Sequence, residues 1–204
     1  MSHKVRLIPI GIALGFSCVA CTGGEGASSA PSSTASSPDQ PSGLRDAPEI
    51  SVSGDPFAEL DDARPSAERR AIGELHKGGE RLIAYTEGGR CGLLVTRSGN
   101  EKGPVLSLDT AMPKSDDQGS SKMPAGPYLK SSATGSGASK PWASMSCGKN
   151  AMVIEYSSHG TGNPSKPRGS VSTAEGPEGS HSLFVAVGEE GARKKILSAL
   201  PPGP

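Results

Sequence analysis

The chain of 204 residues is predicted to be an α+β protein, with one N-terminal helix packed on an antiparallel sheet or a partly open β-barrel and one disulfide. Two observations favour this class. A segment near residue 70 has helical apolar spacing, with a helix-start signal before it and a helix-stop signal after it. From residue 81 onward, short apolar runs alternate with Gly-containing turns, which is typical of strands and hairpins.

The predicted helix covers residues 66–77, "SAERRAIGELHK". Ser66 occupies the N-cap position, and Gly78-Gly79 follows the last turn. Both are signals that bound helices. At helical spacing, three apolar side chains fall on one face: Ala71, Ile72 and Leu75.

The strands are predicted after that helix. Apolar runs that predict two hairpins and three further strands occupy residues 81–97, 142–156, 104–109, 169–173 and 182–187. Residues 191–199 are compatible with a helix or a strand. The connections at residues 113–141 and 157–168 are rich in Ser, Gly, Pro and Lys. Loops of that length are usually functional or disordered.

The N-terminus reads as an export signal over residues 1–20. Lys4 and Arg6 precede an apolar run from Leu7 to Ala20, which is the pattern of a secretory signal peptide. Fourteen helical residues would span about 21 Å, well short of the roughly 30 Å hydrocarbon core of a bilayer. The run is therefore predicted to direct export rather than to cross the membrane.

The end of this run, Cys18-Val19-Ala20-Cys21, resembles the lipobox of bacterial lipoprotein precursors. It departs from that family at Cys18, where the family usually has Leu. The resemblance covers about the first tenth of the chain. It implies that Cys21 becomes the mature N-terminus and carries a thioether-linked diacylglycerol, which anchors the protein firmly when more than one acyl chain is buried. The alternative is an ordinary secreted protein that is cleaved at the same bond.

Residues 21–50 are predicted to be a disordered Ser/Pro/Gly tether, followed by a small domain over residues 51–204. Between Thr22 and Pro48 the sequence has one Leu and no aromatic residue, so it cannot bury enough surface to order itself. A Gly/Ser-like chain of about 27 residues spans roughly 30 Å. Such a tether would lift the domain off the membrane.

Cys91 and Cys147 remain after signal cleavage and are predicted to form a disulfide. Strand alternation puts Cys91 on the face of Leu93 and Val95, so it points inward. An even number of cysteines in an exported chain favours a structural bridge. In the chain-entropy model, a bridge over this separation contributes about 4 kcal/mol. A redox pair is the alternative, but such pairs are usually spaced Cys-x-x-Cys.

Charge and motif content exclude several functions. From residue 21 onward there are 19 Lys and Arg against 21 Asp and Glu, so a basic nucleic-acid surface is not expected. The glycine-containing loops lack the spacing that cradles phosphates. No His lies at ligand spacing from either remaining Cys. No cofactor and no metal are therefore predicted.

Four side chains are candidates for ligand binding. Tyr128 and Trp142 flank the long loop, and an exposed aromatic pair there would suit a sugar or a peptide. The alternative is that Trp142 is the largest core residue. His159 and His181 lie beside glycine-rich loops. With Asp109 or the Asp116-Asp117 pair they would form a hydrolase or metal site; the alternative is two solvated loop histidines.

These observations predict a non-enzymatic binding or interaction module, lipid-anchored on the extracytoplasmic face of the cell membrane. Its expected partners are the membrane, through the lipidated N-terminus, and an envelope protein or polysaccharide. One rival is a small envelope hydrolase that uses His159 or His181 with an Asp. The other is a structural lipoprotein with no specific ligand.

Overall fold

A computed structural model describes residues 43–58, 60, 68–97, 103–114, 123–136, 140–160, 162–177 and 180–200. These residues form two five-stranded antiparallel sheets and one α-helix near the C-terminus. The α+β prediction is therefore wrong, because strands dominate the described part and its N-terminal side has no α-helix but only a three-residue 3-10 helix, Leu44–Asp46. The two sheets are separate hydrogen-bonded units, so the partly open barrel is wrong as well.

The first sheet has the strand order β4-β3-β2-β1-β8, and the second has the order β5-β6-β7-β10-β9. The strands of the first sheet are β1 (Arg70–Lys77), β2 (Glu80–Glu87), β3 (Arg90–Arg97), β4 (Pro104–Ala111) and β8 (Arg168–Gly169). Those of the second sheet are β5 (Tyr128–Thr134), β6 (Trp142–Gly148), β7 (Ala151–Ser157), β9 (Val171–Glu175) and β10 (Ser182–Gly188). The helix, α1, is Glu190–Ala199.

The segment predicted as a helix over residues 66–77 is strand β1, apart from its first residues, of which 66 and 67 lie outside the described part. The helical spacing was misleading because both faces of β1 are covered. Ile72 and Leu75 pack between the sheets, while Ala71 packs on the outer side. A register irregularity between Ala71 and Gly73 shifts this alternation. Pairing with β2 and β8 therefore overrides local helix propensity.

The predicted hairpins are present, whereas strand β5 was not predicted. The two hairpins at residues 81–97 and 142–156 are confirmed as β2–β3 and β6–β7. Strand β5 was missed, because it lies inside the predicted loop 113–141. Most of its side chains are polar and partly or fully exposed, so its composition resembles a loop. Residues 191–199 belong to helix α1.

The main core fills the space between the sheets with aliphatic side chains and methionines. Among its most buried residues are Ile72, Leu93, Met145, Met152, Ile154 and Leu183. Leu94 is equally buried but lies on the outer side of the first sheet. At Gly73 the sheets approach so closely that an added Cβ would stand 2.3 Å from Val171 Cγ2. The two sheets are therefore in direct contact along β1 and β9.

A disulfide at one end of the sandwich and a buried hydrogen bond near the other join the two sheets, in addition to apolar packing. The predicted Cys91–Cys147 disulfide is confirmed, and it joins β3 to β6 with a Cα–Cα distance of 5.9 Å. Near the other end, the buried Tyr156 hydroxyl of β7 donates a hydrogen bond to the buried Glu80 carboxylate of β2. Burial, together with that carboxylate, raises the pKa of Tyr156 well above its usual value. The phenol therefore stays protonated and keeps donating across the sheets.

Residues 43–57, which we call the strap, lead the chain onto the outer side of the first sheet. Leu44 is fully buried in the main core, and its amide donates to the Lys149 carbonyl at 2.8 Å. Further along, Phe57 packs edge-to-face on Tyr85, with ring centroids 5.2 Å apart. Residues 44–50, which the sequence analysis placed in the tether, thus pack against both sheets.

Three arginines of the first sheet hold the strap by its backbone carbonyls. Arg70 donates to Arg45 and Ala47, Arg81 to Ser53, and Arg168 to Ser51, at 2.8–3.0 Å. Beneath them, Glu74 is only 3% exposed and accepts 2.6 Å hydrogen bonds from both Arg81 and Arg168. Glu74 therefore orients two of the three guanidinium groups that hold the strap.

Among the described residues, no helix combines the length and the apolar character needed to cross a membrane.

We expect loss of the disulfide to lower the free energy of unfolding by about 4 kcal/mol, because an open chain gains entropy when unfolded. Urea titration of the Cys91→Ser/Cys147→Ser variant measures this. The matched control is the wild-type protein titrated in the presence of a reductant, which should lose a similar amount. A double variant as stable as the oxidised protein would contradict a structural role.

We expect Glu74 to make stability depend on acid pH. Burial acts to raise the pKa of Glu74, but the hydrogen bond from Arg81 and the charges of Arg81, Arg168 and His76 outweigh it and hold that pKa below its usual value. A carboxyl with a lowered folded-state pKa stabilises the fold above its unfolded pKa, near 4.5, and this stabilisation is lost as pH falls further.

Urea unfolding between pH 3 and 7 tests this pH dependence. Glu74→Gln should cost about 2 kcal/mol at pH 7 and flatten the acid limb of the stability curve. The control is Glu49→Gln, which removes a carboxylate that is 60% exposed and 3.7 Å from Arg70 and should change little. If the free energy of unfolding fell equally with acid pH in wild type and Glu74→Gln, Glu74 would not be the source of the pH dependence.

Candidate functional site

The outer face of the second sheet is divided into a covered half and an open half. Helix α1 covers the half whose outward side chains are apolar: Ala151, Val153 and Ala186, which pack with Ala192 and Ile196 of the helix. Arg193 also fastens the helix to β9 by donating to Ser172 Oγ at 2.7 Å. The other half of this face has no helix on it among the described residues.

Strand register places the side chains of the open half in two rows. One row runs Ser132, Ser144, Glu155, Phe184 and Ala174 across β5, β6, β7, β10 and β9. The other runs Thr134, Trp142, Ser157 and Ser182 across β5, β6, β7 and β10. We call these nine residues the open face. Since alternate residues of a strand point to one side, all nine share the side that α1 occupies further along the sheet.

Trp142 and Phe184 are the two aromatic side chains of the open face. Both are partly exposed, and neither belongs to the buried clusters. Trp142 is the one Trp of the chain. The core between the sheets therefore forms without it, and the largest side chain of the protein is presented on a sheet surface.

Glu155 lies on β7, between the strands that carry the two aromatic side chains, and is diagonal to Trp142, which pairs with Ser157. It faces Ser144 on one side and Phe184 on the other, and it is half-buried. Its carboxylate makes no hydrogen bond or ion pair with any other residue that the structure describes. It is also the one carboxylate that the five described strands place on this face. A half-buried acceptor that has no partner among the described residues is available to bind a donor from a ligand.

The structure places Tyr128 far from Trp142. Both lie at ends of the β5–β6 pair, but Tyr128 is opposite Gly148 whereas Trp142 is opposite Thr134. Tyr128 is 2% exposed, and its hydroxyl donates to the Pro124 carbonyl at 2.7 Å. Burial raises the pKa of Tyr128 to about 12. It is a packed residue under the helix-covered half and forms no pair with Trp142.

His159 and His181, in contrast, lie at the same end of the sheet as Trp142. Ser157 pairs with both Trp142 and Ser182, so His159 follows the end of β7 and His181 precedes the start of β10. Both histidines are exposed. The His181 carbonyl accepts a hydrogen bond from Lys77 Nζ at 3.3 Å. Three of the four candidate binding residues therefore gather at one margin of the open face.

The carboxylate proposed as a partner for these histidines is elsewhere. Asp109 lies opposite Gly92, toward the disulfide end of the first sheet, and Arg90 Nε binds it at 2.6 Å. Asp116 and Asp117 lie outside the described residues. Within the described part, no three His, Cys, Asp or Glu residues gather as a metal site would need. The described residues thus do not assemble the expected hydrolase site.

Sequence reasoning did not identify Glu155 and Phe184. The available signal was alternation: in "SLFVAV" the inward residues are Leu183, Val185 and Val187, which leaves Phe184 outward. A large aromatic residue at an outward position of a strand is unusual enough to flag. Its neighbour Glu155 is set by the β7–β10 register, which the sequence alone does not determine.

No protein-family model, no curated protein and no solved structure matches this chain significantly.

The two described phenylalanines should respond differently to truncation. Phe57→Ala should lower the free energy of unfolding by about 3 kcal/mol, because it removes a buried ring that packs on Tyr85. Phe184→Ala should cost less than half as much, because that ring is partly exposed on the open face. Urea titration of both variants measures the difference. Equal losses would show that Phe184 is a packing residue.

Proposed function

We propose that this chain is a lipid-anchored extracytoplasmic protein whose β-sandwich presents the open face to a partner at the cell envelope. The observation that carries the proposal is the exposure of Trp142 and Phe184 on the half of the sheet that α1 leaves open. Trp is among the residue types enriched at positions that contribute most of the binding energy of an interface, and aromatic side chains offer a large apolar contact area.

Export is supported by the Cys91–Cys147 bridge. Disulfides persist in oxidising compartments and are rare in the cytosol, and this one spans the core between the two sheets. The signal-like N-terminus and the lipobox resemblance at Cys21 agree with export, although Cys21 lies outside the described residues. We infer that the acyl chains on Cys21 hold the protein at the membrane and that the domain begins where the strap starts.

A binding role fits the geometry better than the hydrolase alternative. Acid–base hydrolysis needs its titrating groups within hydrogen-bond reach of one another. Here Asp109 is bound by Arg90 toward the end of the sandwich opposite the histidines. The open face instead offers aromatic surface, hydroxyl groups and one carboxylate, which together bind a partner without cleaving it.

Photo-cross-linking on live cells tests the proposal. A photoreactive amino acid at Ser132, which is exposed at the edge of the open face, should give a discrete adduct. The matched control carries the same amino acid at Lys195, an exposed residue of α1, and should give none. Absence of any adduct at both positions would favour a structural lipoprotein without a specific ligand.

The intact mass of the protein purified from native membranes tests the anchor. After alkylation without reductant, we expect a mass that starts at Cys21, includes diacylglycerol and has no alkyl group on Cys91 or Cys147. A mass without lipid, from a protein recovered in the medium, would contradict the anchor. The cross-linking experiment would then be the only test of the binding face.

A further inference from the structure

We infer that the ligand of the open face is an uncharged polysaccharide chain, with sugar rings stacked on Trp142 and Phe184 and a hydroxyl group bound to Glu155. This rests on the proposed function and names the partner class. The juxtaposition that carries it is a half-buried carboxylate, Glu155, directly opposite Phe184 and diagonal to Trp142, with hydroxyl side chains beside all three.

The chemistry of the face matches that of a sugar. A pyranose ring has an apolar face of C–H groups and a rim of hydroxyl groups. Aromatic rings offer a large apolar area with an electron-rich face for the C–H groups. Around Trp142 and Phe184 the open face presents four exposed or partly exposed hydroxyl side chains: Ser132, Thr134, Ser157 and Ser182. The fifth, Ser144, is only 5% exposed.

The open face has few of the aliphatic side chains that fill the centre of a protein interface. Such a centre is more apolar than the rest of a protein surface, with aromatic residues, Met and Arg enriched in the interface, and on this side of the sheet the aliphatic residues lie mainly where α1 covers it, at Ala151, Val153 and Ala186. In the open half, the one aliphatic side chain is Ala174. The chain therefore keeps aliphatic residues where a polypeptide covers the sheet and replaces them with hydroxyl groups where none does.

The spacing of the two aromatic residues requires more than one sugar ring. Trp142 on β6 and Phe184 on β10 are separated by β7 and by one two-residue step along the strands. Strand spacing and rise put their Cα atoms about 12 Å apart on a flat sheet. A single ring is too small to contact both, whereas an extended chain of several sugars crosses from one to the other over Glu155.

The face is equipped to bind such a chain and not to cut it. Glycoside hydrolases use two carboxyl groups that flank the scissile bond. Glu155 is the one carboxylate on the described face, so a second is missing there. Its negative charge also disfavours polyanionic chains, which selects for neutral sugars.

The sole Trp makes the test direct, because intrinsic tryptophan fluorescence reports on Trp142 alone. The full chain is used with Cys21→Ser, so that it stays unlipidated. The probes are tetramers of glucose and of N-acetylglucosamine, with each monomer for comparison. We expect the favoured tetramer to shift the emission and to protect Trp142 from acrylamide quenching, with the monomer at least tenfold weaker.

Three variants separate binding from folding. Phe184→Ala should weaken tetramer binding by about tenfold, as expected for loss of one stacking contact, and leave monomer binding unchanged. Glu155→Gln keeps the shape of the side chain and should weaken the binding of both the tetramer and the monomer. Lys195→Ala on α1 should change neither. Thermal melting of each variant checks that the fold is intact.

Retention on insoluble neutral polysaccharide completes the experiment. If neither tetramer changes Trp142 fluorescence and the protein is not retained on cellulose or chitin, the sugar inference is overturned. A discrete protein adduct at Ser132 in that case keeps the proposed binding function and replaces the ligand. Absence of both sugar binding and any adduct overturns the inference and the proposed function together.

Discussion

The Cys91–Cys147 bridge joins the inward faces of the two sheets in a chain that has few large apolar residues. From residue 21 onward, Leu, Ile, Val and Phe are about one residue in seven, which is at the low end for a folded chain. The bridge acts at one end of the sandwich, and the Tyr156–Glu80 hydrogen bond acts near the other. Between them, close packing of Gly73 against Val171 brings the sheets into contact. A thin core is sufficient because its two ends are fixed.

The same scarcity of apolar residues shapes the outer faces. The strap covers the first sheet, where Phe57 and Tyr85 pack together, and α1 covers half of the second. Each cover is fastened by arginines as well as by apolar contacts. The remaining half of the second sheet is polar apart from Trp142, Phe184 and Ala174. The chain has few aromatic residues, yet two of them lie on this surface and not in the core. Exposed apolar residues that are grouped in this way indicate an interaction site.

The sequence was informative about strands that alternate clearly and about the disulfide. Both hairpins and the inward direction of Cys91 follow from period-2 alternation, which is a local signal. The helix predicted around Ile72 failed because pairing on both edges of β1 decides its conformation. The partners in β2 follow in the next segment of the chain, but those in β8, Arg168 and Gly169, lie far along the sequence and leave no local trace. Strand β5 was missed for the related reason that an edge strand with polar side chains resembles a loop.

The candidate site shows the same limit. Trp142, His159 and His181 could be named from residue type, but their meeting at one margin depends on the β6–β7–β10 register. That register also brings Glu155 beside Phe184 and leaves Tyr128 at the far end of β5. Residue chemistry is thus readable from the sequence, whereas the grouping of residues on a face is a product of non-local strand order.

The strap also determines how tension from the N-terminal side enters the domain. A pull on the chain before Gly43 first loads Leu44, whose amide is bonded to the second sheet and whose side chain lies in the core. Beyond it, the carbonyls held by Arg70, Arg81 and Arg168 pass the load to three different strands of the first sheet. Because Cys91–Cys147 couples the two sheets covalently, force is shared across the sandwich instead of peeling one strand away. Tension from the N-terminal side is thereby borne by several strands and not by a single contact.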